Sequence, residues 1–367
     1  MYQYVPWLRR AGIHVTAMPF FEDDYLERRY ASAPQPLTSL ARAMWRRLQA
    51  LLTSRRFDLI WIEYELFPWA PGIAESILSL AGIPTIVEYD DAVFHRYDRH
   101  PSWLVRATLS RKIDRIMHGA AAVIVGNAYL AARAETAGAR HIDIIPSVID
   151  LSRYDGVPPP PPVQAVGNAS AMSAPSAAGE STRPLVIGWI GSPSTSPYLH
   201  TIAPALRAVC EPGRAIVKLV GTSDAAADFA FPCETSLWDE AREIDDLHGF
   251  DIGIMPLPDQ PWERGKCGYK LLQYMACGKP VIASPVGANC EIVQPGVNGL
   301  LAGTHDEWVA ALDTLLRDAN LRARYGRAGR TTVEQRYSLD MAAPQLVSIL
   351  RRTARPTGAE TQLASAG

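Results

Sequence analysis

Two runs of short, continuously apolar, β-rich segments, each alternating with helical patterns, stand on either side of a stretch with no apolar period. That stretch, 155–183, contains GVPPPPPVQAVGNASAMSAPSAAGEST, and its Pro, Ala, Ser and Gly content reads as an extended, then flexible linker. Strands buried on both faces and alternating with helices imply parallel sheets covered on both sides. The chain is therefore expected to be α/β, with one domain over 1–154 and a second over 184–340. A helix over 341–353 is expected to pack back on the first domain, and 354–367 to form a disordered tail.

In the first half, Ile13–Phe20, Asp58–Ile62, Pro84–Glu88, Ala122–Val125 and His141–Ile145 read as strands. Helical patterns cover Thr38–Thr53, with Thr38 or Ser39 as N-cap, then Ile73–Leu80, Trp103–Met117 and Tyr129–Ala137. In the second half, Leu185–Ile190, Ala215–Val220, Asp251–Met255 and Pro280–Ala283 read as strands. Helices are expected at about Tyr198–Val209, Trp238–Asp246, Tyr269–Cys277, Thr304–Leu316, Leu321–Arg336 and Met341–Arg352. Residues 1–11 read as a helix, whereas a doubly wound domain ordinarily opens with a strand and a ligand-facing loop. The reading therefore expects one strand and one loop to precede the written start.

The charges nearly cancel, 36 basic against 38 acidic residues, so no global field points to nucleic acid. Only five of the basic residues are lysines, and three of these, Lys266, Lys270 and Lys279, fall in one short stretch. Five scattered cysteines without a C-x-x-C pair argue against a disulfide framework or zinc site and fit a reducing cytoplasm. No run approaches the roughly 18 apolar residues of a membrane span, and MYQYVPWLRR lacks a signal peptide's apolar core.

Two stretches can carry chemistry. In VIGWIGSPSTSPYL a buried strand ends at Gly191-Ser192 and a helix begins near Pro197, with Ser196 as N-cap and Pro197 at the first helical position. Free amides at such a start favour a phosphate, and Gly191 permits close approach. A plain βα turn explains the same residues, and the pattern is not G-x-G-x-x-G. The richer stretch is DIGIMPLPDQPWERGKCGYKLLQYMACGKPVIASPVGANCEIV. A strand runs into a loop with Arg264, Lys266, Gly265 and Gly268, and a helix then stops at Gly278 and Pro280. Lys270 and Gln273 lie one turn apart on that helix and can face one side. Two lysines at a glycine-rich helix entry suggest an anion site; a solvated basic loop is the plainer alternative. Lys279 reads as a helix C-terminal charge.

The run from Gly265 through Lys266, Lys270, Gln273-Tyr274-Met275-Ala276-Cys277-Gly278 and on to Gly287 resembles the donor-binding region of family 4 glycosyltransferases, retaining enzymes of the GT-B fold. The segments IIPSVIDLSRY and CEIVQPGVNGLLA extend the resemblance. It implies two Rossmann-like domains facing across a cleft, the first strand of the N-terminal one being absent from the written sequence. The family's second acidic residue, which holds the donor ribose, corresponds to Gln273, and its first to Gly265, so the paired glutamates are lacking. Gln273 can still bond ribose hydroxyls; Glu263 is near but out of register. The basic residues that usually follow the first glycine loop are also absent from SPSTSP. Lys266 and Lys270, with Arg264, are expected to take their place on the diphosphate, together with the Gly191 and Ser192 amides and Gly268.

In the first domain, TIVEYDDAVFHRYD places Glu88, Asp90, Asp91 and His95 just beyond a buried strand. Asp90-Asp91 stands where family members often carry a His-Asp pair. Asp91 is expected to orient an acceptor hydroxyl or stabilise positive charge on the sugar, with Asp90 on the acceptor side; a structural carboxylate is the alternative. Asp90, Asp91 and His95 are not expected to hold a metal, nor is a cofactor expected beyond the nucleoside-diphosphate sugar as donor substrate.

Two basic amphipathic helices suit an anionic lipid surface, although ordinary core-facing helices with solvated arginines are the favoured reading. One carries Leu40, Met44, Trp45, Leu48 and Leu51 with Arg42, Arg46, Arg47, Arg55 and Arg56. The other carries Trp103, Leu104 and Ile113 with Arg106, Arg111, Lys112 and Arg115. The resemblance thus implies a hexosyltransferase-like retaining enzyme that moves sugar from a nucleotide sugar to a hydroxyl acceptor. Polysaccharide or glycolipid assembly is the expected setting, in the cytoplasm and peripherally at the inner face of the membrane where the acceptor is lipid-linked. Two other classes fit: a non-catalytic sugar-nucleotide-binding partner, and a GT-B-fold nucleotide-sugar epimerase.

Overall fold

The computed structural model describes residues 2–21, 28, 37–154, 183–222 and 231–355. The expected linker, up to residue 182, and the expected tail beyond Arg355 lie outside the described residues. The chain divides into two compact units: one of Met1–Pro146, Arg264–Cys267 and Ala342–Gly367, the other of Ser147–Glu263 and Gly268–Met341.

The first unit is built on a parallel sheet of β1 (Ile60–Glu63), β2 (Thr85–Tyr89), β3 (Ala122–Val125) and β4 (Ile142–Ile144), in that spatial order. Every residue of β3 is buried and β2 is buried at all but Glu88, as expected of strands covered on both faces. Ile13–Phe20 does not join this sheet. Its side chains largely alternate in exposure, but among the described residues its backbone has no ladder partner, and an apolar alternation without a neighbouring strand makes no strand. Residues 2–10 are helical, as the sequence suggests: a 3-10 turn at Tyr2–Tyr4, then a helix at Val5–Arg10. The next helix already begins at Leu37, so neither Thr38 nor Ser39 caps it.

The expected helix Trp103–Met117 is two, Trp103–Leu109 and Lys112–Gly119. The break sits where Lys112 enters the core: its Nζ is 2.5 Å from Glu65 and donates to the Phe67 carbonyl at 2.6 Å. Lys112 is therefore part of the interior, not of a solvated basic face. From the C-terminal helix Leu339–Thr353, Gln345 donates to the Ile144 carbonyl and Arg351 to that of Ala11. Beyond it, the Arg355 amide donates to the Asp58 carbonyl at 3.1 Å, so Ala354 and Arg355, which the sequence reading put in the tail, are held by backbone hydrogen bonds.

The second unit holds a six-stranded parallel sheet of β5 (Leu185–Ile190), β6 (Ala215–Val220), β7 (Cys233–Ser236), β8 (Ile252–Met255), β9 (Val281–Ala283) and β10 (Gly299–Leu301). Their order is β10-β9-β8-β5-β6-β7. The chain thus winds outward from β5 to one side and then from β8 to the other, and the direction reverses between β5 and β8. Ligands of open α/β sheets bind outside the carboxyl ends of the strands at such a switch point.

Two glycines make the β5–β8 junction possible. Gly188 and Gly253 are register partners. A Cβ on the first would lie 1.9 Å from the Phe250 ring, and one on the second 2.4 Å from the Tyr274 ring. Beyond that pair the two strands no longer bond directly. The Tyr274 phenol spans the gap, accepting from the Ile190 amide at 3.0 Å and donating to the Ile254 carbonyl at 3.3 Å.

Several local starts differ from expectation. Thr195, not Ser196, precedes the turn after β5, which is a 3-10 helix (Ser196–Thr201) followed by an α-helix (Ala203–Val209). The helix expected from Trp238 begins at Glu243, because Asp239 accepts the Ala241 amide and holds a turn there. The helix His305–Arg317 has a full capping box between Thr304 and Glu307.

Candidate active site

In the second unit, the carboxyl end of β5 leads into Gly191-Ser192 and the chain after β8 leads to the helix Tyr269–Ala276. Gly268 opens that helix in the left-handed region, at φ +68°, with the Ile292 side chain where a Cβ would point. Here it serves the helix entry. Lys270 stands at the switch point: its Nζ lies 4.9 Å above the Trp189 ring and donates to Thr195 Oγ1 at 3.4 Å. Trp189 is on β5, so the strand, the turn and the cation are locked together. Gly191 leaves room for this, since a Cβ there would sit 2.4 Å from the Trp189 ring and 2.9 Å from Thr195 Oγ1.

The expected anion-binding amides are already engaged. Gly191 donates to Val220 in the sheet, and Ser192 donates to Thr195 Oγ1 at 3.2 Å. The turn they lead into is six residues of 3-10 helix, whose hydrogen-bond geometry is poorer than that of an α-helix. The anion-attracting group at this place is the Lys270 ammonium.

Gln273 does not share the Lys270 surroundings. It is 4 % exposed and hydrogen-bonds Tyr154 across the core. Burial, with Tyr269 and Glu243 nearby, keeps the Tyr154 phenol protonated well above its ordinary range. Glu263 is buried and accepts from the Tyr198 hydroxyl, which explains why this out-of-register acid is tolerated inside the unit.

In the first unit, the carboxyl ends of β2 and β3 bring together residues far apart in sequence. Lys266 Nζ lies 3.4 Å from Asp91, 175 positions away. Asn127, the N-cap of the helix Ala128–Thr136, accepts the Leu130 amide and donates to the Gly265 and Lys266 carbonyls at 3.0 and 3.1 Å. Cys267 donates to the Asp90 carbonyl. The segment 264–267 is thus held against Asp90-Asp91 by side chains from both strand ends. Arg264 is exposed and lies close enough to act on the Tyr129 phenol.

Asp90 has a partner that sequence reading passes over: the Tyr64 hydroxyl donates to its carboxylate. Tyr64 follows β1 at φ +62°, an uncommon conformation for a bulky residue. Burial, reinforced by Asp90, raises its phenol well above the ordinary range. Behind it, Glu65 accepts from Tyr97 and pairs with Lys112, fixing the loop. His95 does not turn toward Asp90 and Asp91 but bonds Asp98 and Tyr129. Among the described residues no group of three or more His, Cys, Asp or Glu is arranged to hold a metal ion. Tyr64, Tyr129 and Trp189 carry no motif signal, whereas Tyr154 closes the IIPSVIDLSRY segment that the resemblance includes; Trp189, inside a strand that ends at a glycine turn, could also have been found from sequence.

Two family models match, together covering more than two thirds of the chain: a glycosyl transferase 4-like domain over 2–147 and glycosyl transferases group 1 over 198–318. The chain belongs to the group 1 glycosyltransferases. It is 38% identical over 96 residues to D-inositol 3-phosphate glycosyltransferase of Stackebrandtia nassauensis, covering 24% of this chain and 21% of that one. It is 36% identical over 100 residues to phosphatidyl-myo-inositol mannosyltransferase of Mycobacterium leprae, covering 27% and 26%. The chain thus spans about a quarter of the length of these curated relatives. The crystal structure of Anabaena HepE in complex with UDP-glucose is similar over 95% of this chain and 88% of that one, at a TM-score of 0.62 and 18% identity. Two parallel α/β sheets of this kind are those of the GT-B glycosyltransferases. Among the described residues no helix of this group 1 member is long and apolar enough to cross a membrane.

Proposed function

We propose that this protein transfers a hexosyl group, with retention, from a nucleoside-diphosphate sugar to a hydroxyl acceptor. The observation that carries the reading is the Lys270 ammonium held at the β5–β8 switch point by Trp189 and Thr195. A fixed cation there can stabilise the diphosphate, whose charge grows as the bond to the anomeric carbon breaks. Gln273 keeps hydrogen-bonding capacity beyond Tyr154 for a ribose hydroxyl. In the other unit, Asp91 with Lys266 serves the acceptor side. No cofactor beyond the donor is invoked. The names of relatives support a nucleotide sugar as donor: HepE was solved with UDP-glucose.

Membership of polysaccharide or glycolipid assembly, at the inner face of the membrane, is part of the same proposal. Leu40, Trp45, Leu48 and Leu52 are exposed on the helix Leu37–Leu52. Residues 37–57 hold five arginines and no acid, which suits anionic lipid. Cosedimentation with anionic but not neutral vesicles is the expected result.

The donor reading is tested by thermal unfolding with millimolar UDP and, separately, GDP. A ligand at 100 times its Kd stabilises a protein by about 2.7 kcal/mol. A shift with one nucleotide, followed by product analysis with and without acceptor, separates a transferase from a silent binder and from an epimerase. No shift with either, in a folded protein, overturns the donor site.

A further inference from the structure

A cleft of about 770 Å³ in the first unit has no part in the reading above. Two helices form it. Trp7 and Arg10 come from Val5–Arg10, while Val347, Ser348, Arg351 and Arg352 recur at helical spacing along one side of Leu339–Thr353. Arg355, four residues past Arg351, bonds the Asp58 and Gly82 carbonyls, which precede β1 and β2. This helix therefore ends at the amino ends of the strands, whereas Asp90 and Asn127 follow their carboxyl ends.

The cleft is of one sign: three of its eight lining residues are arginines and none is acidic. A cation in the last turn answers a helix dipole, but these helices each end on two, Arg9-Arg10 and Arg351-Arg352. Three of the four line the same space. Among the described residues only Arg352 of the three is paired with a carboxylate, that of Asp143. Arg10 lies 4.4 Å over the Trp7 ring and donates through Nε to the Pro6 carbonyl; Arg351 donates to the Ala11 carbonyl at 2.8 Å. Each of these bonds uses one of the five N–H groups of a guanidinium, so it aims the group without exhausting it. Both arginines are exposed.

Three cations against one carboxylate leave an excess of two positive charges, and a cleft lined by one sign concentrates counter-ions. A phosphate monoester carries close to two negative charges at neutral pH, where a carboxylate carries one. Its oxygens also suit the paired N–H groups of arginine. Between the cations the wall is apolar, made by the Trp7 ring and Val347, and the volume is that of a small-molecule site. We propose that this cleft binds a phosphate monoester with an apolar body, the phosphate at Arg10 and Arg351 and the body along Trp7 and Val347. The proposal is independent of the transferase reading.

Titration calorimetry on the full chain tests it, with octyl phosphate below its micellar concentration as the probe and inorganic phosphate as the comparison. Saturable one-to-one binding is expected, more than about tenfold tighter for the octyl ester, since about two buried methylenes suffice for that. Arg10→Gln should weaken it about 10–100-fold, as loss of a charge-assisted hydrogen bond does. Ser348 is exposed, so Ser348→Glu sets a carboxylate in the cleft without disturbing the core; its Tm should match the wild type and its binding should vanish. Lys270→Ala should bind the ester as the wild type does. Cosedimentation separates the two sources of such a ligand. Stronger retention on vesicles with phosphatidic acid than with phosphatidylglycerol, lost in Ser348→Glu, assigns the monoester to a membrane lipid; binding of octyl phosphate without that preference assigns it to a soluble ester. No saturable binding, equal affinity for inorganic phosphate, or binding that survives Arg10→Gln and Ser348→Glu overturns the proposal. So does a dimer that Ser348→Glu dissolves and octyl phosphate leaves intact, which would give the cleft to a second copy of the chain.

Discussion

Gly265 lies so close to Ala92 that a Cβ at 265 would stand 2.5 Å from the Ala92 Cβ and 2.6 Å from its amide nitrogen. The family resemblance assigns the first acidic residue of the pair to this position, and here no side chain fits without displacing Ala92. Gly265→Ala should therefore destabilise the chain by about 1–3 kcal/mol, as overpacking does. Since the clash is partly with the Ala92 Cβ, Ala92→Gly in the same chain should recover part of the loss. Urea midpoints of the two single variants and the double one check this, and strict additivity would contradict the contact.

Lys270 lies over the Trp189 ring and donates to Thr195. Lys270→Ala is expected to abolish the nucleotide-induced thermal shift and to lower kcat/KM by roughly 10–1000-fold, the range for removing one charge-stabilising contact. An unchanged kcat/KM would remove Lys270 from the diphosphate.

Tyr274→Phe keeps the ring and deletes only the oxygen between β5 and β8. It leaves the buried Ile190 amide without its acceptor, at a cost of about 1–3 kcal/mol. Chemical denaturation should show the loss, and amide exchange at Ile190 should rise selectively.

Glu88 gives a pH signature. Burial pushes its carboxyl from 4.5 up to about 7, with Glu63 and Asp90 adding to the rise. The native state then binds more protons than the unfolded chain between these two values, so stability falls as pH climbs from about 4.5 to about 7. Glu88→Gln should flatten that slope and leave the variant more stable than the wild type at pH 8. Parallel pH titrations of the unfolding midpoint measure it.

The strands were legible where burial on both faces made continuous apolar runs: Ala122–Val125, Leu185–Ile190 and Ala215–Val220 appear with the bounds read from sequence. Cys233–Ser236 and Gly299–Leu301 were not, because both lie at the edges of the sheet, where short, partly polar segments suffice. The alternation in Ile13–Phe20 shows the converse: pattern proposes a strand, and only a neighbour makes one. In the site, Lys266 and Lys270 stood out through the rarity of lysine. The pairing of Lys266 with Asp91 depends on chain segments 175 residues apart. The Tyr64 and Tyr129 phenols could not be foreseen either, since an aromatic in an apolar run looks like core until its hydroxyl is seen to face a carboxylate or an imidazole.

The helix that bears Lys270 also bears Tyr274, whose oxygen completes the junction between two strands. Any slide or rotation of that helix would pull the phenol away and open a defect in the sheet itself. The cation thus takes its coordinates from the backbone of β5 and β8, not from the flexibility of a lysine stem. Selection for a steady charge at this point would act on the two glycines opposite Phe250 and Tyr274 as much as on the lysine.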